Sequence, residues 1–465
     1  MRCVGWVVFA VVAVCLVWPR SALARDLEDF LGEAEGLYWE TRYYEALEVG
    51  EDAVEWFGQS PEAHSMMGRI LFKIARFEEA RERFEKAIEL DPYDFWGHYG
   101  LGLYFLAAGN PEEAGEQFTA ARTTWPESDL PCLMLARAAE ELDRYDEAYG
   151  WMDAAIGAIE HQGRSAPRSL ELERHRLDYL SDREPCRVSA AFVKATVPMV
   201  DGRPVIRVRL GPDAEGLFLL DTTAAQGVTV HPAAVFRTLG EHIADLDDLG
   251  PGVRAASYLY LLDRLEIGEL TVRDVPCLVT ERVVLAGVDG VLGLPFLRRF
   301  SWTFDFSGGE ITVRDPAMDP GRAFRFGPDL VESGIYPGGP LMIPLLLDRQ
   351  WPAVFVLDSA SDAVSLDHEF FERELEGFIP PGQRRDLQPG DNPHGAIPMV
   401  AFELASIRVD DEMILEDVTV RTYAVEDVRR RAGVAAPGVL GMGALADWVI
   451  DLDFQAGTAT LRKSR

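Results

Sequence analysis

Two rhythms of apolar and polar positions divide the chain. Between about Asp26 and Gln162, small and apolar residues return every 34 positions: Gly68, Ala80, Phe84, Ala87 and Pro92 are matched by Gly102, Ala114, Phe118, Ala121 and Pro126. The register runs forward to Ala136, Ala148, Met152 and Ala155, and back to Ala34, Ala46, Gly50 and Ala53. Small residues at such places let two helices of a hairpin approach closely. A Phe or Met fills the gap between hairpins, and proline stops the second helix. The spacing predicts about four helical hairpins over residues 25–163, stacked into a curved all-α solenoid with a concave face. Residues 164–185 break the period. Within them Leu170–Leu177, bracketed by Ser165, Pro167 and Pro185, is predicted to be a helix that caps the stack.

Beyond Pro185 the pattern becomes that of short strands. Val205–Leu210 partly alternates, and Leu217–Leu220 leads into Asp221. Tyr258–Ile267, Thr271–Val279 and Ser301–Phe306 follow, and a Gly308-Gly309 turn gives a hairpin into Glu310–Val313. The order then repeats with Leu341–Leu347, Ala353–Leu357, Val364–Leu366, Phe402–Val409, Ile414–Val420, Val449–Phe454 and Thr458–Leu461. Short strands with tight turns predict a small all-β barrel or sandwich in tandem, one lobe over 186–320 and another over 321–465.

One arrangement occurs in both lobes. Leu219-Leu220-Asp221-Thr222-Thr223-Ala224 is followed by Gly290-Val291-Leu292-Gly293, and Val356-Leu357-Asp358-Ser359-Ala360-Ser361 by Gly438-Val439-Leu440-Gly441. Gly290, Gly293, Asp305, Gly309 and Arg314 each find a match 148 positions later, at Gly438, Gly441, Asp453, Gly457 and Arg462. Each copy is an apolar strand that ends on an aspartate flanked by a hydroxyl residue. Two similar lobes with one carboxylate each are what a shared two-aspartate site needs.

Composition and charge narrow the setting. A chain of 465 residues exceeds one core, and 48% apolar content supports folded domains. A net charge of −32 argues against nucleic acid and anionic membrane surfaces as partners. Residues 1–24 read as a signal peptide: Arg2, an apolar run over Val4–Trp18, and Ala22-Leu23-Ala24 before a cut at Arg25. The run is short for a transmembrane helix, although an uncleaved anchor is the competing reading. The chain is expected to be exported, with a periplasm as the expected compartment. Cys132, Cys186 and Cys277 then remain, too few and too widely spaced for a disulfide framework or metal site. The eight histidines never fall in a ligand spacing, so neither a metal nor a cofactor is expected.

The 34-residue period and its composition resemble the tetratricopeptide repeat, most strongly in the middle two units. Such modules are mostly interaction surfaces, so a protein partner or substrate on the concave face is the expectation, with a spacer role as the alternative. Trp39, Tyr43, Tyr44, Trp96, Tyr99 and Tyr104 read as helix packing rather than a ligand cage. Residues 188–465 resemble the retropepsin-like and pepsin-like aspartic proteases. The likeness rests on the strand–Asp–hydroxyl triplets, Val288–Leu297 and the Phe304–Gly309 hairpin. The resemblance implies that Asp221 and Asp358 form a dyad sharing one water. It also implies that Thr222 and Ser359 brace the two loops. Two carboxylates that close do not both ionise cheaply, so in such a dyad one holds a proton.

The chain departs from that family at Thr223 and Ala360, which stand where both triplets have glycine. A glycine there serves either an unusual backbone angle or a close approach to carboxylate and substrate. Thr223 is β-branched and tolerates positive φ poorly. Residues 248–252 and 388–395, rich in Gly and Pro, are candidates for flaps over a cleft or for plain turns. Asp289, Asp305, Asp451 and Asp453 read as turn and strand-end carboxylates, and His231-Pro232 as a strand terminus. The functions implied are an exported aspartic endopeptidase whose repeats recruit substrate, a non-catalytic peptide-binding scaffold on the same fold, or an assembly factor acting through the repeats alone.

Overall fold

The computed structural model describes residues 25–188, 193–211, 214–232, 241–245, 257–280, 287–319, 330–334, 336, 338–387, 398–409, 412–423 and 434–464. Among these, nine helices come first: α1 (Leu27–Trp39), α2 (Tyr43–Trp56), α3 (Pro61–Lys73), α4 (Phe77–Leu90), α5 (Phe95–Ala107), α6 (Pro111–Thr124), α7 (Leu130–Glu141), α8 (Tyr145–His161) and α9 (Arg168–Ser181). The first eight pair as antiparallel hairpins and, with α9 against α8, build a repeat solenoid. Ala80, Phe84, Ala87, Ala114, Phe118, Ala121, Ala148 and Ala155 are all fully buried. A Cβ at Gly68 would lie 2.6 Å from the Phe84 ring, and one at Gly102 would lie 2.6 Å from Phe118. The period thus reports where a ring nests against the other helix of its own hairpin, and a Cβ at Gly100 of the next hairpin would also meet the Phe84 ring, at 2.2 Å. Pro61, Pro111 and Pro131 sit at helix starts, where a missing N–H costs nothing. The first helix of each hairpin ends in a left-handed residue, Thr41, Ala75, Gly109 and Asp143, with φ of 62°, 60°, 77° and 57°.

The described residues then form twenty-one strands. The first lobe holds β1 (Arg187–Val188), β2 (Lys194–Pro198), β3 (Val205–Arg209), β4 (Glu215–Asp221), β5 (Val228–Val230), β6 (Glu241–Asp245), β7 (Ser257–Ile267), β8 (Leu270–Thr280), β9 (Gly290–Gly293), β10 (Ser301–Asp305) and β11 (Glu310–Arg314). The second holds β12 (Leu330–Gly334), β13 (Met342–Leu347), β14 (Trp351–Asp358), β15 (Val364–Asp367), β16 (Arg384–Asp386), β17 (Pro398–Val409), β18 (Glu412–Tyr423), β19 (Gly438–Gly441), β20 (Trp448–Asp453) and β21 (Thr458–Lys463). Six strands of the first lobe close a ring in the order β3-β4-β9-β5-β8-β7 and back to β3. The second lobe repeats it as β13-β14-β19-β15-β18-β17 and back to β13. In both rings the aspartate strand runs parallel to the Gly–apolar–apolar–Gly strand.

The two tandem lobes also share a third sheet. The closing hairpins do not stay in their own lobes. β10–β11 and β20–β21 join β2 and β12 in a shared six-stranded antiparallel sheet, ordered β12-β21-β20-β10-β11-β2. That order is a palindrome about the β20–β10 pair, so the duplication becomes an approximate two-fold relation between lobes. The junction is pinned by charge. Arg314 Nη2 donates to both Asp451 oxygens at 2.7 and 2.9 Å, and Thr303 Oγ1 donates to Asp451 at 2.6 Å. Both charged groups are almost wholly buried, where a paired charge is tolerated and a lone one is not.

The solenoid packs on both lobes. Ala75 and Phe77 share an apolar cluster with Met342, Val356, Val434 and Ala436 of the second lobe, and the Phe77 and Tyr336 rings lie 4.7 Å apart. Tyr145, Leu177 and Leu180 share another with Leu259 and Leu261 of the first. Cys132 and Cys277 are buried and Cys186 half-buried, all three as free thiols; burial pushes Cys277 up to about 12. Among the described residues no helix is long and apolar enough to cross a membrane.

Candidate functional site

The two aspartates end the strands β4 and β14, and glycines fix where those strands run. Leu220 pairs with Leu292 and Asp221 with Gly293; Leu357 pairs with Leu440 and Asp358 with Gly441. A Cβ on Gly290 would meet the Thr229 carbonyl at 2.4 Å, and one on Gly438 the Ser365 carbonyl at 2.4 Å. Only glycine lets β9 and β19 thread between the aspartate strand and its neighbour.

Beyond each aspartate the loops are cross-bonded. Thr222 Oγ1 donates to the Leu357 carbonyl at 2.6 Å and accepts from Ser359 N at 3.0 Å. Ser359 Oγ donates to the Leu220 carbonyl at 2.7 Å and accepts from Thr222 N at 3.0 Å. Thr222 is fully inaccessible and Ser359 1% exposed. Each hydroxyl uses its one proton and one lone pair toward the opposite loop, which no apolar or amide side chain of that size reproduces. Leu220 and Thr222 flank Asp221, and Leu357 and Ser359 flank Asp358, so the brace joins the two aspartate-bearing loops.

Each carboxylate is held by the residue two positions further on. Asp221 Oδ1 accepts from Thr223 N at 2.8 Å and Thr223 Oγ1 at 2.6 Å, while Asp358 Oδ1 accepts from Ala360 N at 2.8 Å. Asp221 is buried and Asp358 half-exposed. Neither Thr223 nor Ala360 lies at positive φ, so the backbone here does not need glycine for its angle. Thr223 instead adds a second donor on Asp221, a contact the triplet pattern alone does not disclose.

The other carboxylates have structural partners. Asp289 Oδ2 accepts from Leu217 N at 2.8 Å, Asp305 Oδ1 from Gly308 N at 2.6 Å, and Asp453 Oδ1 from Ala456 N at 3.0 Å. Asp451 is the buried partner of Arg314 described above. Residues 248–252 and 388–395, the candidate flaps, lie outside the described residues, although β6–β7 and β16–β17 on either side of them are antiparallel pairs. Among the described residues no group of three or more His, Cys, Asp or Glu is placed to hold a metal ion.

Residues 65–129 match the family model of the tetratricopeptide repeat, and the helices on either side continue the same solenoid of that type. Similar solved structures include a crystal structure of MamA, at 22% identity over 31% of this chain and 84% of that one, with a TM-score of 0.28. TTC0263, a thermophilic TPR protein of Thermus thermophilus, is 20% identical over 34% of this chain and 84% of its own, with a TM-score of 0.30. PilF of Pseudomonas aeruginosa is 17% identical over 33% and 68%, with a TM-score of 0.30. No curated protein is significantly similar to the chain.

Proposed function

We propose that the chain is an exported aspartic endopeptidase that hydrolyses a peptide held between its lobes through Asp221 and Asp358. The observation that carries this reading is the reciprocal Thr222–Ser359 brace, which joins the two aspartate loops by four hydrogen bonds. A hydrolase of this kind needs two carboxyls fixed relative to each other around one water. The charged carboxylate removes a proton from the water as its oxygen attacks the peptide carbonyl. The protonated partner hydrogen-bonds the carbonyl oxygen and supplies the proton the leaving amine takes. The repeats present the substrate or a partner protein, and export rests on the pattern of residues 1–24.

A non-catalytic peptide-binding cleft is the second reading, favoured by the Thr223 hydroxyl on Asp221 Oδ1. One experiment separates the two. The chain from Arg25 onward, an Asp221→Asn/Asp358→Asn variant and a Thr223→Gly/Ala360→Gly variant are incubated with a diverse peptide library from acid to neutral pH. Cleavage by the parent and not by the asparagine variant is the expected result. Cleavage by the glycine variant alone means that Thr223 and Ala360 block a competent pair. No cleavage by any folded form rejects the hydrolase in favour of the binding cleft.

A further inference from the structure

The edge of the solenoid where the two helices of each hairpin join runs across both lobes. From the second lobe, Arg373 pairs with Glu48, Ala435 N donates to the Lys73 carbonyl, and Tyr336 Oη donates to Glu78 at 3.2 Å. Gly338 N donates to the Ala107 carbonyl at 3.0 Å, and Arg137 donates back to the Gly338 carbonyl. From the first lobe, Arg298 pairs with Glu141 at 3.1 Å. Arg299 grips the Asp143 carboxylate with both terminal nitrogens and donates to Tyr145 Oη at 3.2 Å.

Two segments that touch this edge, one from each lobe, lead directly to the aspartate loops. Leu341, three residues beyond Gly338, donates to the Thr222 carbonyl at 3.4 Å and accepts from Leu357 N at 2.8 Å. Three residues span at most about 11 Å of extended chain. On the other side a short helix, α10 (Leu294–Leu297), runs from Gly293 to Arg298 and Arg299. Gly293 is in register with Asp221, and Leu294 N donates to the Ala224 carbonyl at 3.0 Å. A Cβ on Gly338 would fall 1.4 Å from the Leu106 carbonyl, so the contact at the second lobe is backbone against backbone.

We infer that the solenoid is a positioning element for the two-aspartate site. Through Gly338–Leu341 it holds both the Thr222 carbonyl and the strand end at Leu357 that precedes Asp358, and through Arg299 and α10 it holds the same Asp221–Ala224 loop at Ala224, with Arg299 and Asp143 as its positioning pair. This edge is therefore occupied within the molecule. The inference concerns the same site as the proposed hydrolysis but does not need the reaction to be read.

The test uses the chain from Arg25 onward, with Arg299→Asp, Asp143→Arg and the charge-swapped double variant, followed by amide hydrogen exchange in fragments covering 218–225 and 355–362. Each single reversal is expected to speed exchange in both fragments about tenfold or more, with α3–α6 unchanged and the swap restoring parental rates. Arg299→Gln, which adds no repulsion, is expected to give a smaller shift in the same direction and serves if a reversal fails to fold. Parental exchange in both fragments of the single variants overturns the inference, as does faster exchange that the swap leaves uncorrected. If the parent cleaves peptide, the single variants lose kcat with little change in KM. A parent that cleaves nothing sinks the hydrolase reading and leaves the exchange result to stand.

Discussion

Thr222 and Ser359 each present one hydroxyl that both donates and accepts across the lobe junction, in a place water does not reach. Thr222→Val keeps the shape and removes both bonds, leaving the Leu357 carbonyl and Ser359 N–H buried without their partner. That substitution is expected to cost about 2–5 kcal/mol, while Thr222→Ser stays within about 1 kcal/mol of the parent. Urea unfolding of the three proteins decides it, and a valine variant as stable as the serine one would mean the brace does not hold the lobes. These two hydroxyls were legible in the sequence because each follows an aspartate at the end of an apolar strand. Thr223 was not. A missing glycine announces a lost backbone angle, yet the angle here is one that threonine adopts, and the donor it aims at Asp221 depends on a rotamer no pattern encodes.

At the level of elements, the 34-residue period was readable because rings and small residues must meet wherever hairpins stack. The turn inside each hairpin was less so. Its left-handed residue is glycine only at Gly109; Thr41, Ala75 and Asp143 adopt the same conformation because the packed helices on either side over-determine it. Helix α5 carries a titratable cap. Asp94 accepts from Gly97 N, which favours its charged form, but burial outweighs that bond and pushes the carboxyl up to about 6. An acid whose folded pKa lies above its unfolded value of about 3.9 contributes stability present below that value and lost as pH rises through the folded one. Asp94→Asn keeps the cap acceptor without the charge. It is expected to stabilise the chain by about 1 kcal/mol at pH 7.5, after discounting for the solvent that reaches the group, with the gain vanishing near pH 4. Urea midpoints across that range test it; a gain independent of pH would assign the effect to something other than the carboxylate.

For the whole molecule, the pairing that local rhythm cannot announce is the pairing between distant parts. Alternation located β10, β11, β20 and β21, but no alternation says that they leave their rings to form one sheet. The three residues at the junction, Thr303, Arg314 and Asp451, look like ordinary strand residues until the sheet brings them together. The contact of solenoid and lobes was equally silent, because Phe77 and Val434 are unremarkable core residues in their own segments. That contact carries an energetic consequence. Each repeat of a solenoid touches only its neighbours, so a stack of four has little stability in reserve, and burial of the Phe77 cluster against the second lobe supplies some of it. The parent is therefore expected to melt in one calorimetric transition. Tyr336→Ala together with Arg299→Gln removes one ring from the second-lobe contact and one charge-assisted grip from the first, while leaving every residue of the solenoid in place. The variant is expected to show two transitions, the earlier one accompanied by loss of helical circular dichroism while the strand signal persists. One transition, with its midpoint within about 2 °C of the parent, would mean that solenoid and lobes are coupled through other contacts than these.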